Sequence, residues 1–157
     1  MKISSPPFTS HISEEALLSF TLFLGIMDIN NGVFTYSNAG HNYPIIKSGA
    51  GYFETHKTKN GLVLGFSNKA VYNNEILCIQ NGGVVLLYSD GVVEAMDKKG
   101  DLYGENRLLT KLNSVNLDIP DVIVSEIQQG LKEFSGHADQ NDDITILAMT
   151  YKAITNC

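Results

Sequence analysis

Acidic residues stand where apolar, strand-like segments of this chain end or begin. Asp90 follows the apolar run at residues 84–88, and Asp142 and Asp143 precede another at residues 144–149. A carboxylate at the end of a buried strand is costly unless a positive group meets it. Carboxylate oxygens are also the ligands that Mg²⁺ and Mn²⁺ prefer. The pattern therefore predicts a cation site, provided that the fold brings Asp90 to Asp142.

Each of these positions also has a simpler interpretation. Asp90 with Gly91 is typical of a turn in which the aspartate accepts backbone hydrogen bonds. Asp142 and Asp143 also suit an ordinary loop between a helix and a strand. His41, in the segment NAGH, is either a ligand or polarising group or, as with most lone loop histidines, a structural residue. The occurrence of both aspartate segments beside apolar strands favours the metal interpretation.

The elements that must position these residues are mostly strands. Turn residues divide the apolar segments into three expected hairpins, followed by two amphipathic helices and one last strand. The expected strands are 19–29 with 33–37, 42–47 with 51–56, 71–80 with 84–88, and then 144–151; the expected helices are 105–113 and 121–134, with a short helix starting at Ser13. This order predicts an α+β fold of mainly antiparallel strands in layers. The last strand must return into the earlier sheet if Asp142 is to meet Asp90.

Composition narrows the class of protein. The 157 residues suit a single domain, with residues 1–12 as a loose N-terminal segment. The net charge of −6 and the scattered Lys and Arg argue against a nucleic-acid surface. No apolar run approaches the roughly 18 residues of a membrane span, and the N-terminus has no signal-peptide core. Cys78 and Cys157 lie far apart, which favours a buried thiol at Cys78 and a frayed terminal one, in a reducing cytoplasm, over a disulfide or redox pair.

Five motifs in order make the chain resemble a known family. They are YSNAGHNYP at 36–44, GLVLGF at 61–66, LLYSDGVVEA at 86–95, YGENRLL at 103–109 and QNDDITIL at 140–147. Together they resemble the PPM-type serine/threonine phosphatases, in particular the bacterial branch of stage II sporulation protein E and the sigma-factor-regulator phosphatases. The resemblance covers roughly residues 19–151.

The resemblance implies a β-sandwich flanked by helices, with two Mn²⁺ or Mg²⁺ ions at one end of the complete domain. Asp90 and Asp142 match the metal ligands of the family. Gly91, Asp143 and His41 match positions that support the site, and His is the usual residue at position 41 in this branch. A metal-activated water attacks the phosphorus, so no side chain of this sequence is expected to act as a nucleophile.

Two departures from the family pattern matter. The N-terminal motif, an Asp followed by Ser/Thr-Gly-His-Gly, is absent, and its aspartate bridges the two metals in the family. Gly82 and Gly83 stand where Gly-Asp is usual, a difference that we interpret as structural. The chain thus corresponds to the C-terminal two-thirds of such a domain and is expected to be inactive by itself. The missing helices are expected to leave a sheet face bare beside Leu22 and Leu24.

The resemblance implies a metal-dependent phosphoserine/phosphothreonine protein phosphatase whose substrate is a phosphorylated anti-sigma-factor antagonist. One alternative is a catalytically inactive phosphatase-like domain that serves in dimerisation or partner binding, and a homodimer is expected because of the bare face. Another is an unrelated all-β ligand-binding domain with incidental aspartates. No nucleic-acid partner and no membrane contact are expected for this segment.

Overall fold

The structure, a computed structural model, describes residues 18–59, 61–114, 118–140 and 142–154. The predicted helix start at Ser13 and the thiol of Cys157 lie outside these residues. The described elements are the strands β1 (Leu22–Met27), β2 (Val33–Ala39), β3 (Ile45–Lys47), β4 (Phe53–Thr55), β5 (Glu75–Cys78), β6 (Val84–Tyr88) and β7 (Ile146–Thr150) and the helices α1 (Asp90–Val93), α2 (Gly104–Ser114) and α3 (Pro120–Ser135).

The chain divides into two compact units. The first unit contains the described residues up to His41 together with Thr58–Cys78. The second unit contains Asn42–Lys57 and the described residues from Ile79 onward. A single domain therefore stays a prediction.

The first unit contains a three-stranded antiparallel sheet in the order β1-β2-β5. The predicted hairpin between its first two strands is confirmed. Its turn is stabilised by the Asp28 carboxylate, which accepts a hydrogen bond from the Asn30 backbone N–H at 2.9 Å. Gly32 closes the turn with φ of +74°, a conformation that glycine adopts without a steric penalty.

The two faces of this sheet differ sharply. On one face, the rings of Phe23, Phe34 and Tyr36 stack, with centroids 4.9 Å apart for Phe23 and Tyr36. On the other face, Leu24, Ile26 and Ile76 are 38%, 59% and 67% exposed. Ile26 and Ile76 lie on the same side because both pair with Thr35 of the central strand. This bare sheet face agrees with the expectation from the sequence.

The second unit contains a four-stranded antiparallel sheet in the order β4-β3-β6-β7. Helices α2 and α3 cover one face of this sheet and form a hydrophobic core with it. The core includes four side chains with no exposed surface: Ile45, Leu86, Leu108 and Ile127. The amphipathic spacing of both helices predicted this burial. No helix among the described residues is long and apolar enough to cross a membrane.

The predicted third hairpin is wrong. The turn at residues 80–83 exists, since the Gly83 N–H donates to the Gln80 carbonyl at 2.8 Å. Its two strands nevertheless join different sheets, because β5 pairs with β2 while β6 pairs with β3 and β7. The second hairpin, the helices near their predicted bounds and the return of the last strand are confirmed. The α+β fold class is confirmed with them.

Candidate functional site

The pairing of β6 with β7 sets the two aspartate segments side by side. These strands are antiparallel, and their register matches Tyr88 with Ile146. The chain leaves β6 toward Asp90 at the same end of the sheet where it enters β7 from Asp142 and Asp143. The sequence predicted this juxtaposition from the two strand ends.

Ser89 fastens the two segments to each other. Its hydroxyl donates to the Asp143 carbonyl at 2.9 Å and accepts from the Thr145 backbone N–H at 2.9 Å. Its own backbone N–H donates to the Thr145 carbonyl at 3.0 Å. We call these three hydrogen bonds the Ser89 clasp. Sequence reasoning gave Ser89 no role, since the only signal was its position between the strand and Asp90.

Gly91 lets the segments approach closely. A Cβ atom at this position would lie 2.5 Å from the Asp143 carbonyl oxygen and 3.3 Å from that of Asp142. The first distance is far shorter than a carbon–oxygen contact allows, and the obstacle is backbone. Gly91 is therefore required here for space, which gives a physical reason for the residue that follows Asp90.

The carboxylates themselves are exposed. Asp90 is the first residue of α1, and its Oδ1 accepts the Gly91 N–H at 3.1 Å. Oδ1 of Asp142 accepts the Asp143 N–H at 2.7 Å. The second carboxylate oxygen of Asp90 and of Asp142 has no partner among the residues that the structure describes. Two exposed carboxylates with oxygens to spare have the donor chemistry that a hard divalent cation needs.

The described residues supply only part of a coordination shell. Within residues 18–59, 61–114, 118–140 and 142–154, no group of three or more His, Cys, Asp or Glu side chains could hold a metal ion. Asp90 and Asp142 would therefore provide a minority of the ligands, and water or further chain would provide the rest.

Further contacts within the second unit steady the same end of the sheet. The Asn42 side-chain amide donates to the Tyr88 carbonyl at 3.3 Å, and the Gln140 side chain donates to the Asp142 carbonyl at 2.8 Å. Burial, reinforced by the charge of Glu105, raises the pKa of the Tyr88 phenol to about 12. Neither Asn42 nor Gln140 was singled out from the sequence, because contacts of this kind have no local pattern.

His41 belongs to the first unit, whereas the other four predicted site residues belong to the second. Its backbone N–H donates to Oδ1 of Asn38 at 2.8 Å, and its carbonyl accepts from Nδ2 of the same residue at 3.0 Å. Its ring Nδ1 lies 3.3 Å from the Thr21 hydroxyl. These contacts agree with the structural interpretation of this histidine and leave its role at the metal site a prediction.

Comparisons with known proteins agree with the motifs. The family described as Stage II sporulation protein E (SpoIIE) matches residues 8–152. Protein IcfG of Synechocystis sp. is 34% identical over 133 residues, which is 82% of this chain and 20% of that protein. Phosphoserine phosphatase RsbU of Bacillus subtilis is 28% identical over 95 residues, which is 56% of this chain and 26% of that protein. The chain thus spans only about a fifth to a quarter of the length of these relatives.

Solved structures show the same fold. The phosphatase domain of SpoIIE from Bacillus subtilis, presoaked with manganese, matches with a TM-score of 0.67 and 16% identity. The match covers 87% of this chain and 59% of that chain. At this identity the likeness establishes the architecture alone.

Proposed function

The chain belongs to the stage II sporulation protein E family, and on that premise we propose that it is part of a metal-dependent phosphoserine/phosphothreonine protein phosphatase of the sigma-factor-regulator type. The observation that carries the proposal is the Ser89 clasp. It joins the Asp90 segment to the Asp142 segment across more than fifty residues of sequence. The clasp thereby holds in place the backbone from which both carboxylates project.

Asp90 and Asp142 are the proposed ligands of a Mn²⁺ or Mg²⁺ ion, and Gly91, Asp143 and His41 are the proposed supporting residues. A bound cation of this kind lowers the pKa of a water molecule and neutralises phosphate charge. The residues of the chain act by position. Ser89 fixes the distance between the segments, and Gly91 leaves room for the Asp143 backbone. The manganese-presoaked crystals of the SpoIIE phosphatase domain support the choice of metal.

The proposed substrate is a phosphorylated anti-sigma-factor antagonist. The relative RsbU is a phosphoserine phosphatase, which supports a phosphoserine substrate for this chain. We also propose a cytoplasmic location. The thiol of Cys78 is free and exposed, where the sequence predicted a buried one, and an exposed free thiol suits a reducing compartment.

Titration of the chain with Mn²⁺ tests the metal assignment. Isothermal calorimetry is expected to show binding that Asp90→Asn and Asp142→Asn each weaken by more than about tenfold, because each removes a charged ligand. Asp101→Asn is the control, since Asp101 is an exposed carboxylate of the same unit outside the site. Equal affinity in all four proteins would overturn the assignment.

Phosphatase activity tests the expectation that these 157 residues are inactive by themselves. They lack the family's metal-bridging aspartate, so most of the electrostatic stabilisation of the transition state should be missing. Assays with p-nitrophenyl phosphate and Mn²⁺ should show no turnover above background. Robust turnover that Asp90→Asn abolishes would establish that the described carboxylates suffice.

The second candidate function is dimerisation or partner binding, and the bare sheet face favours it. Exposed apolar patches of several hundred Å² on soluble proteins mark interaction sites, and a two-fold dimer is the commonest way to cover one. Light scattering at micromolar concentration should give a mass above the 17.2 kDa of one chain. The double variant Leu24→Lys/Ile26→Lys should restore the single-chain mass, whereas Leu147→Lys, a matched change at an exposed residue of the second unit, should not. A single-chain mass for the unchanged protein would count decisively against this candidate.

A further inference from the structure

A cleft of about 560 Å³ opens in the second unit beside the proposed metal site. It lies between the C-terminal half of α3, the segment that begins with α1, and the loop that leads to β7. Asp142 and Gly91 belong to its lining. The cleft and the proposed metal site therefore share residues and form one continuous surface.

The floor of the cleft is apolar. Leu131 of α3 and Ile144 lie there, with Ala95 beside them. All three also pack into or against the hydrophobic core, so the floor is held in place by the fold. Met96 also lines the cleft and is 37% exposed, which leaves its flexible thioether side chain available to adapt to a bound group.

The polar part of the lining carries more negative than positive charge. Glu94 and Asp139 contribute carboxylates, and Lys132 of α3 contributes one ammonium group. None of these three side chains forms an ion pair with another described residue. Among the described residues, the recorded ion pair joins Lys111 to Glu126. A cation that entered the cleft would therefore meet two carboxylates that form no ion pair with a described residue.

Size decides what kind of group the cleft can hold. Its volume falls within the roughly 300–1,000 Å³ of sites that enclose small ligands. It therefore suits a few side chains of an extended segment, and it is too small for the surface of a folded domain. An apolar floor favours an apolar side chain, and an acidic rim favours Lys or Arg.

We propose that this cleft binds the residues next to the phosphorylated Ser or Thr of the protein substrate, and that it selects a segment carrying one apolar and one basic side chain. The inference rests on the proposed function, since that function places the phosphate at Asp90 and Asp142. With the phosphate there, the adjoining residues of the substrate lie at the mouth of the cleft. Met96 and the floor take the apolar side chain, and Glu94 and Asp139 take the basic one.

Fluorescence anisotropy with short labelled peptides tests the proposal on the 157-residue chain. One peptide carries a central phosphoserine flanked by Leu and Arg; in a second peptide Glu replaces Arg, and in a third Ser replaces Leu. The Leu/Arg peptide should bind several-fold more tightly than either of the others. Glu94→Gln should lower the ratio of the affinities for the Arg and Glu peptides by a factor of about two to five, the effect expected for an exposed ion pair. Met96→Ala should reduce the preference for Leu.

Matched controls lie in the same unit outside the cleft. Glu54→Gln removes an exposed carboxylate, and Leu147→Ala removes an exposed apolar side chain; both should leave the peptide preferences unchanged. Preferences that Glu94→Gln and Met96→Ala leave intact, or the absence of any preference, would overturn the proposal.

Unphosphorylated versions of the peptides separate this inference from the function on which it rests. The cleft should keep its preference for Leu and Arg without the phosphate and without metal. The gain in affinity from the phosphate in the presence of Mn²⁺ should depend on Asp90. If that gain is absent while the flank preference persists, the metal assignment fails and the cleft assignment stands. If the gain is present without a flank preference, the cleft assignment fails.

Discussion

The two sheets of this protein differ in how far their apolar faces are covered. In the second unit, helices α2 and α3 cover the sheet, and residues such as Leu86 and Ile127 lose all contact with solvent. In the first unit, the face that carries Ile26 and Ile76 is open. Burial of apolar surface is the dominant stabilising term in folding. The second unit therefore carries its own stabilisation, and both proposed metal ligands, Asp90 and Asp142, belong to it. The first unit, in contrast, exposes an apolar face to solvent.

A matched pair of isoleucine substitutions measures this difference most directly. Ile127→Ala in the second unit should lower the free energy of unfolding by about 2–5 kcal/mol, because it leaves a cavity in a packed core. Ile76→Ala in the first unit should cost less than about 0.5 kcal/mol, since its side chain is 67% exposed. Urea unfolding followed by circular dichroism, at a concentration where the chain is monomeric, gives both values. Equal losses would erase the distinction between the units.

Alkaline pH should weaken the second unit through Tyr88. Burial raises the pKa of its phenol from 10.0 to about 12, so the folded state holds the proton more tightly than the unfolded state. The stabilisation is complete below pH 10 and is lost as the pH rises toward 12, a change of about 2–3 kcal/mol. Unfolding measured across this range should show a steeper fall for the unchanged protein than for Tyr88→Phe. Parallel curves would show that the phenol titrates normally.

The Ser89 clasp should matter more than a local serine contact in the first unit. Ser89→Ala removes two hydrogen bonds that join distant segments and should cost about 1–2 kcal/mol of stability. It should also weaken Mn²⁺ binding, because Asp90 and Asp142 lose their fixed separation. Ser67→Ala removes one bond to the Lys69 N–H, two residues away, and should cost about 0.5 kcal/mol or less. Calorimetric melting and Mn²⁺ titration of both variants would reveal any reversal of this order.

Local signals predicted the parts of the fold that local physics decides. The Asp28–Gly32 turn and the spacing of apolar residues in α2 and α3 were sufficient for the first hairpin and both long helices. The third hairpin failed because a turn sequence sets the direction of the chain but does not choose the partners of the strands. The burial of apolar faces in each sheet makes that choice, and it sends β5 and β6 to different sheets. Helix α1 was missed because four residues are too few to show a period.

The candidate site divides in the same way. Asp90, Asp142 and Asp143 were visible because both aspartate segments lie directly beside apolar strands and match the metal-site motifs of a known family. Ser89 was not, because its bonds span 54 and 56 positions and depend on the register of β6 with β7. The need for Gly91 was equally hidden, since the obstacle to a side chain is the distant Asp143 carbonyl.

The pairing of β6 with β7 also affects how the protein folds during its synthesis on the ribosome. Strand β6 pairs with β3 on one edge and with β7 on the other. Strand β3 is synthesised before β6 and can pair with it at once, but β7 begins at Ile146, 58 positions after Tyr88. Ribosomes add about 5–20 residues per second, so the other edge of β6 waits roughly 3–12 s for its partner. During that interval each nascent chain presents an unpaired apolar strand, the state in which strands are most prone to pair with other chains. During this interval, chaperones that bind emerging apolar segments can protect β6, the strand that precedes Asp90.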